Sequence, residues 1–258
     1  MDSILVKTKL ALRILILNRP DKFNSFNREM AIRLQNELDI AANDESIRAI
    51  LITGEGKAFC AGQDLSEAID PNGPGISAIV ADHYNPILKK IRSIEKPIVC
   101  AVNGVAAGAG ANIALACDVV IAANSASFLQ AFSKIGLVPD SGGTFFLPRL
   151  IGFQRASALM MLGDKVSAQD ALQMGMLYRV VADDQLMIEA EKIAATLSTM
   201  PTKAIGYTKR LLNASMKHQF EEQLLMEEVM QTAAGETSDY KEGVEAFLEK
   251  RKPIFKGK

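Results

Sequence analysis

Residues Ile98 to Cys117 form a run of twenty without one charged side chain, and no other stretch limits the fold so strongly. A run of this length could cross a bilayer. Gly104 and Gly108 even supply the G-x-x-x-G spacing of paired membrane helices. Its content argues otherwise. Half of the run is Ala and Gly; it holds Asn103 and Asn112 and contains the turn dipeptide Asn103-Gly104. It reads as a buried strand, a turn and a helix of small residues, with no membrane attachment. Small residues in a buried helix let neighbouring backbone come close.

The flanking sequence alternates strand and helix signals. Leu10 to Leu17 is a strand-like run stopped by Asn18-Arg19-Pro20. Phe26, Met30, Leu34, Leu38 and Ala41 recur at helical spacing, which predicts a helix over Asn27 to Ala42. Arg48 to Thr53 reads as a short buried strand, and Phe59 to Leu65 as a tight glycine-containing segment. Asp70 to Gly75 is a loop, read as a flap and not a domain boundary. Tyr84, Leu88 and Ile91 place a helix before Pro97, and Ile98 to Val102 and Val119 to Ala123 are strands. No internal repeat is visible. After Pro148 the pattern turns helical: Ser167 with Asp170 marks a capped start, Gly175 a C-terminal stop. Amphipathic stretches follow from Asp184 to Thr199, Glu221 to Ala234 and Asp239 to Lys250. The expected organisation is an α/β core over 1–195 and a helical region over 196–258 that packs on the core or on another subunit.

Composition removes several classes of function. With 29 Lys+Arg against 30 Asp+Glu, net charge −1, the chain lacks the positive excess that nucleic acid or an anionic membrane would demand. At 48% hydrophobic and 23% charged it is not a disordered chain. Cys60, Cys100 and Cys117 are odd in number and have no C-x-x-C spacing, as expected of reduced thiols. Two histidines, His83 and His218, leave little for a zinc site or a catalytic triad, so no metal is expected. Met1-Asp2-Ser3 does not resemble a signal peptide, and the expected location is the cytoplasm.

The glycines do not spell a nucleotide site. Gly108-Ala-Gly110 lacks the third glycine of the dinucleotide fingerprint, and Gly54-Glu-Gly56-Lys57 lacks the Walker spacing. Ala61-Gly62-Gln63 and Gly108-Ala109-Gly110 fit another use, as two turns of small residues at the edge of buried strands. Two such turns could aim backbone N–H groups at one oxygen and stabilise charge developing there. Close packing alone is the plainer alternative.

Three blocks carry a specific resemblance: Ala58-Phe-Cys-Ala-Gly-Gln-Asp-Leu65, Asn103-Gly-Val-Ala-Ala-Gly-Ala-Gly110 and Gly136-Leu-Val-Pro-Asp-Ser-Gly-Gly-Thr144. They resemble, in order, the signature blocks of the enoyl-CoA hydratase/isomerase (crotonase) superfamily. Asn18-Arg-Pro-Asp-Lys-Phe-Asn24 and Glu245-Ala-Phe-Leu-Glu-Lys-Arg251 are similar too. The resemblance implies a crotonase-like ββα spiral core with a C-terminal helical trimerisation region, assembling as a homotrimer or hexamer. It implies an acyl-CoA substrate and no separate cofactor. The backbone N–H groups of Gln63 and Ala109 would form the oxyanion hole. Phe59, Ala61, Asp64 and Leu65 would line the CoA path, and Lys22 and Lys250 would meet its phosphates, Lys250 from a neighbouring subunit.

The hydratases of that family activate water with two glutamates. The matching positions hold Asn112 and Phe132, and neither side chain can exchange a proton, which argues against hydration. Asp140 remains as the acid. It follows an apolar run and is expected to open a helix, where an N-cap role is the alternative to catalysis. A lone carboxylate beside an oxyanion hole suits relocation of a proton. Further segments, among them Asp70-Pro-Asn-Gly-Pro, Tyr84-Asn-Pro and Ala131-Phe-Ser-Lys, resemble the branch that isomerises ring-1,2-epoxyphenylacetyl-CoA to oxepin-CoA and shifts a 3,4 double bond to 2,3 in dehydroadipyl-CoA. Tyr84, Asn112 and Phe132 would then border the acyl pocket. A general Δ3,Δ2-enoyl-CoA isomerase, an Asp-nucleophile dehalogenase or hydrolase, and a silent acyl-CoA-binding protein are the alternatives.

Overall fold

A computed structural model describes residues 2–258. The chain opens with an antiparallel hairpin of β1 (Ile4–Lys9) and β2 (Leu12–Leu17). Leu10 lies in its turn, 99% exposed and with φ 53°, so the apolar run becomes strand only at Leu12. Helix α1 (Arg28–Asn43) starts where Asn27 caps it, its side chain accepting the Met30 N–H at 3.0 Å. It buries Met30, Leu34, Leu38 and Ala41, the face its spacing predicts.

The chain then winds through three turns of one pattern. The first has β3 (Ala49–Gly54) and β4 (Ala58–Cys60), then short helices α2 (Leu65–Ala68) and α3 (Gly75–Ala78), a π-helical turn over Ile79–Tyr84, and α4 (Asn85–Ser93). The second has β5 (Ile98–Val102), β6 (Val105–Ala107) and α5 (Ala109–Leu115). The third has β7 (Val119–Ala123), β8 (Ser127–Leu129), a 3-10 turn over Ala131–Ile135, α6 (Gly143–Ile151) and α7 (Phe153–Leu162). There follow β9 (Lys165–Ser167), α8 (Ala168–Met174), β10 (Arg179–Val181) and α9 (Leu186–Thr199). Each turn gives one strand to each of two sheets, ordered β1-β2-β3-β5-β7-β10 and β4-β6-β8-β9. The uncharged run is thus strand, turn, strand and helix; the short β6 escapes sequence reading. No helix among the described residues is long and apolar enough to cross a membrane.

The backbone therefore repeats although the sequence does not. A turn of the spiral needs two strands and a reversal, and many apolar sets supply them. β3, β5 and β7 pair in parallel. Ile50 to Ile52 and Val99 to Ala101 are fully buried, as strands covered on both faces must be. Ser167 caps α8 through the Asp170 N–H and Gly175 ends it at φ 94°, both as expected.

Helix α9 packs on β3, β5 and β7 with Ala190 and Ala194 buried. It runs unbroken through residues 195 and 196 and ends at Thr199. Beyond lie α10 (Thr202–Ser215), α11 (Phe220–Gly235) and α12 (Ser238–Leu248). Polar ties join this region to the core. Lys209 Nζ meets Asp118 Oδ2 at 2.7 Å, Arg92 meets Asp118 Oδ1 at 3.2 Å, and the Ile98 N–H donates to Asp118 at 2.8 Å. Arg48 donates to the Phe255 carbonyl at 2.7 Å and Thr202 Oγ1 at 2.8 Å.

Candidate active site

Two glycine turns meet where β4 and β6, neighbours in the smaller sheet, end. After β4 the chain reverses at Gly62, φ 94°. The Gly62 carbonyl accepts the Phe26 N–H at 2.7 Å and the Asp64 N–H donates to the Phe26 carbonyl at 2.8 Å, which pins the turn from behind. After β6 the reversal is at Gly108, φ 52° and ψ −125°. A Cβ on Gly62 would stand 3.0 Å from the Ala107 carbonyl oxygen and 3.7 Å from the Ala109 nitrogen. The two turns therefore touch. A Cβ on Gly110 would fall 2.4 Å from the Cys60 carbonyl oxygen, so only glycine lets α5 begin this close to β4. The N–H groups of Gln63 and Ala109 have no acceptor among the described residues. Ala109 opens α5, where N–H groups have no intrahelical partner and helix-end charge is positive.

Asp140 approaches from the third turn of the spiral. Its backbone carbonyl accepts from Asn112 Nδ2 at 2.9 Å and from the Gly143 N–H at 2.9 Å. The carboxyl is half-buried, and Ser141 Oγ donates to its Oδ1 at 2.9 Å. Burial pushes it above the ordinary aspartate value, although the Ser141 hydrogen bond opposes the shift. Asp140 does not open a helix. Ser141 and Gly142 both have positive φ, 51° and 72°, so α6 starts only at Gly143 and the Asp140 side chain caps nothing.

The other expected residues divide. Phe132 is 3.6 Å from the point a Gly108 Cβ would occupy and so walls the Ala109 turn. Asn112 is buried with both ends engaged, Nδ2 on Asp140 and Oδ1 accepting from Gln130 Nε2 at 2.8 Å. That corrects its pocket assignment: Asn112 brackets the Asp140 backbone and has no surface for an acyl chain. Tyr84 is also fully buried, edge-on to Phe26, and its hydroxyl donates to Gln63 Oε1 at 2.7 Å. Tyr84 supports the Gln63 turn from below. Its hydroxyl is pushed well up by burial, then by the neighbouring Cys60, Asp140 and Glu67.

Ala61 and Leu65 are exposed beside the Gln63 turn. Lys22 is exposed on the turn Pro20–Lys22, next to Phe23, whose carbonyl accepts the Ala61 N–H at 3.0 Å. Two path residues do not present side chains. Phe59 is enclosed in the core, and Asp64 is occupied by Arg19 at 2.8 Å and by Ser66 Oγ at 2.6 Å. Lys250 is exposed just after α12, which packs on α11. Sequence reading missed Asn24, fully buried, whose side chain donates to the Glu55 and Ala58 carbonyls and fastens the Lys22 turn to β4. It also missed Glu67, whose signal was its place four residues after Gln63.

A family model described as Enoyl-CoA hydratase/isomerase matches residues 8–258. The chain belongs to the enoyl-CoA hydratase/isomerase family. It is 46% identical to the 1,2-epoxyphenylacetyl-CoA isomerase of Escherichia coli strain K12, with all of both chains covered. It is 41% identical to a probable enoyl-CoA hydratase of Rhodobacter capsulatus, over 96% of this chain and 95% of that one. Among solved structures, a putative enoyl-CoA hydratase/isomerase from Mycobacterium abscessus superposes with a TM-score of 0.93 at 35% identity, covering 99% of this chain and 100% of that one. The crotonase fold and a family activity on acyl-CoA thioesters follow.

Proposed function

We propose that the chain is a cytoplasmic isomerase that converts ring-1,2-epoxyphenylacetyl-CoA to oxepin-CoA and 3,4- to 2,3-dehydroadipyl-CoA. Asp140 is the base. In the second reaction its carboxylate takes a proton from C2, and the electrons pass through the thioester to its oxygen. The Gln63 and Ala109 N–H groups hold that oxygen as an enolate, each lowering the barrier by about 3 kcal/mol. Asp140 then returns the proton at C4, which leaves the 2,3 double bond. In the first reaction the carbon–carbon bond shared by the epoxide and the six-membered ring breaks, its electrons join the ring double bonds to give the seven-membered oxepin, and Asp140 moves a proton from C2 of the side chain to the ring. No cofactor is needed beyond the CoA carried by the substrate.

One observation carries the reading. Asp140 is bracketed against α5, the helix that begins at Ala109, while the positions of both hydratase glutamates are closed to acid–base work. Asn112 spends its two polar ends on Asp140 and Gln130, and Phe132 is a hydrocarbon wall. The 46% identity to a protein named 1,2-epoxyphenylacetyl-CoA isomerase supports the substrate choice. The apolar side chains left exposed on α11 and α12 support assembly as a homotrimer or a pair of trimers, with Lys250 supplied across the interface.

The test is Asp140→Asn, assayed on epoxyphenylacetyl-CoA and on a straight-chain 3-enoyl-CoA, with folding and CoA affinity checked alongside. Loss on both with binding kept is expected. Near-normal turnover removes the base, and activity of the parent on the straight chain alone moves the substrate to fatty acyl thioesters. A trapped Asp140 ester during turnover would reassign it as a nucleophile.

A further inference from the structure

Glu67 belongs to none of the signature positions, yet it completes a chain of hydrogen bonds under the oxyanion turn. Tyr84 Oη donates to Gln63 Oε1 at 2.7 Å, and Gln63 Nε2 donates to Glu67 Oε2 at 2.9 Å. The other Glu67 oxygen, Oε1, accepts the Arg28 N–H at 2.9 Å. The Gln63 side chain is thus held at both ends of its amide by groups from two other elements. Tyr84 comes from the π-helical turn and Glu67 from α2, itself fastened to the start of α1.

The need for such a hold follows from the neighbour. The peptide that bears the Gln63 N–H is joined to Gly62, whose φ of 94° is cheap only for glycine. A glycine on one side lets the peptide plane rotate, and rotation moves the N–H off its target. The Phe26 N–H on the Gly62 carbonyl at 2.7 Å restrains one face of that peptide. Something must restrain the Gln63 side. We propose that Tyr84 and Glu67 are positioning residues for the reaction, acting through the Gln63 side-chain amide to fix the direction of the Gln63 backbone N–H in the oxyanion hole. The inference rests on the oxyanion-hole reading of Gln63 given above. Neither residue need touch substrate: Tyr84 is fully buried, and both its partner and that of Glu67 are the same side chain. Because Tyr84 ends the π-helical turn after the 70–75 loop, the device also links that loop to the hole.

The experiment compares Tyr84→Phe, Glu67→Ala and Glu67→Gln with the parent and with Asp140→Asn. Two quantities are read: turnover, and the carbonyl stretch of a bound saturated acyl-CoA whose thioester carbon is isotopically labelled. That stretch falls as the hole polarises the carbonyl, and no proton transfer is required. Tyr84→Phe and Glu67→Ala are expected to lower kcat about tenfold each, within the range that misplaced groups cost. Their dissociation constants for the saturated thioester should stay within about twofold, while the carbonyl shift shrinks. The double variant should lose less than the product of the singles, because both act on one amide. Glu67→Gln retains an acceptor for Gln63 Nε2 and should recover most of the parent rate and shift. An unchanged carbonyl shift in Tyr84→Phe and Glu67→Ala overturns the proposal, as does an equal loss in Glu67→Gln and Glu67→Ala. Asp140→Asn should keep the full shift and lose turnover. If it keeps turnover, the base assignment fails while the carbonyl measurement still decides the role of Tyr84 and Glu67.

Discussion

The spiral core and the C-terminal helices differ in how far they bury their own side chains. In the core, a continuous cluster of apolar side chains is buried while others, such as Ile69, Val138 and Phe153, stay exposed, and the Gln63 and Ala109 N–H groups lack acceptors among the described residues. In the C-terminal region the polar joints are made, through Lys209–Asp118, Arg48 and the Asp239 carboxylate that accepts the Lys256 and Gly257 N–H groups at 2.6 and 2.7 Å. What stays open there is apolar. Helix α11 buries none of its residues, and Phe220, Phe247 and Leu248 are more than two-thirds exposed. An unpaired amide calls for an oxygen and an uncovered apolar face calls for another such face. The candidate oxyanion turns lie in the first region and the barely buried helix α11 in the second.

The comparison breaks most sharply at Asp140. Asp140→Asn should lower kcat about 10³-fold, the usual range for a lost general base, with an unaltered fold by circular dichroism. Next in size, Lys209→Ala should destabilise by about 1.5–3 kcal/mol, since it removes one charged hydrogen bond from Asp118 while Arg92 and the Ile98 N–H still hold it; a thermal melt measures it. If the melt hardly moves, the joint is apolar after all and the contrast fails. Phe247→Asp should leave the stability of the single chain within about 0.5 kcal/mol while lowering the mass found by sedimentation. An unchanged mass would remove α12 from the interface.

The smallest effect is in pH. Burial raises the Asp140 carboxyl in the folded chain, so kcat/KM should fall in acid through a pKa above the ordinary aspartate value, because the base must be ionised. The same shift fixes the sign for stability. A group held up in the folded state favours the fold below its unfolded value and loses that contribution as pH rises through its folded value. Asp140→Asn should therefore melt slightly higher than the parent at pH 7, by about 2 °C or less, and the difference should vanish below about pH 4. An equal gain at both pH values would mean the carboxyl pays no burial penalty.

Much of the architecture was legible because its causes are local. The spacing of Met30, Leu34 and Leu38 needs only a helix period, and Asn27 and Ser167 declare their caps through hydrogen bonds three residues away. β1 and β6 were missed since one is an edge strand with a polar face and the other is three residues long. The helix start at Asp140 was misplaced by two left-handed residues whose conformation no local rule dictates for Ser141.

The sequence by itself determined the buried uncharged core, the glycines that later turn out to touch neighbouring backbone, and the single acid in the Pro139-Asp140 block. It carried those choices because residue size and charge are properties of one position. Only the tertiary structure decided that Gly62 and Ala109 meet, that Asn112 is a bracket and not pocket wall, and that Glu67 and Tyr84 share one amide. Those are relations between residues up to 47 positions apart, Gly62 and Ala109, drawn from three different turns of the spiral. A hydrogen bond depends on ångström distances that the winding of the backbone sets.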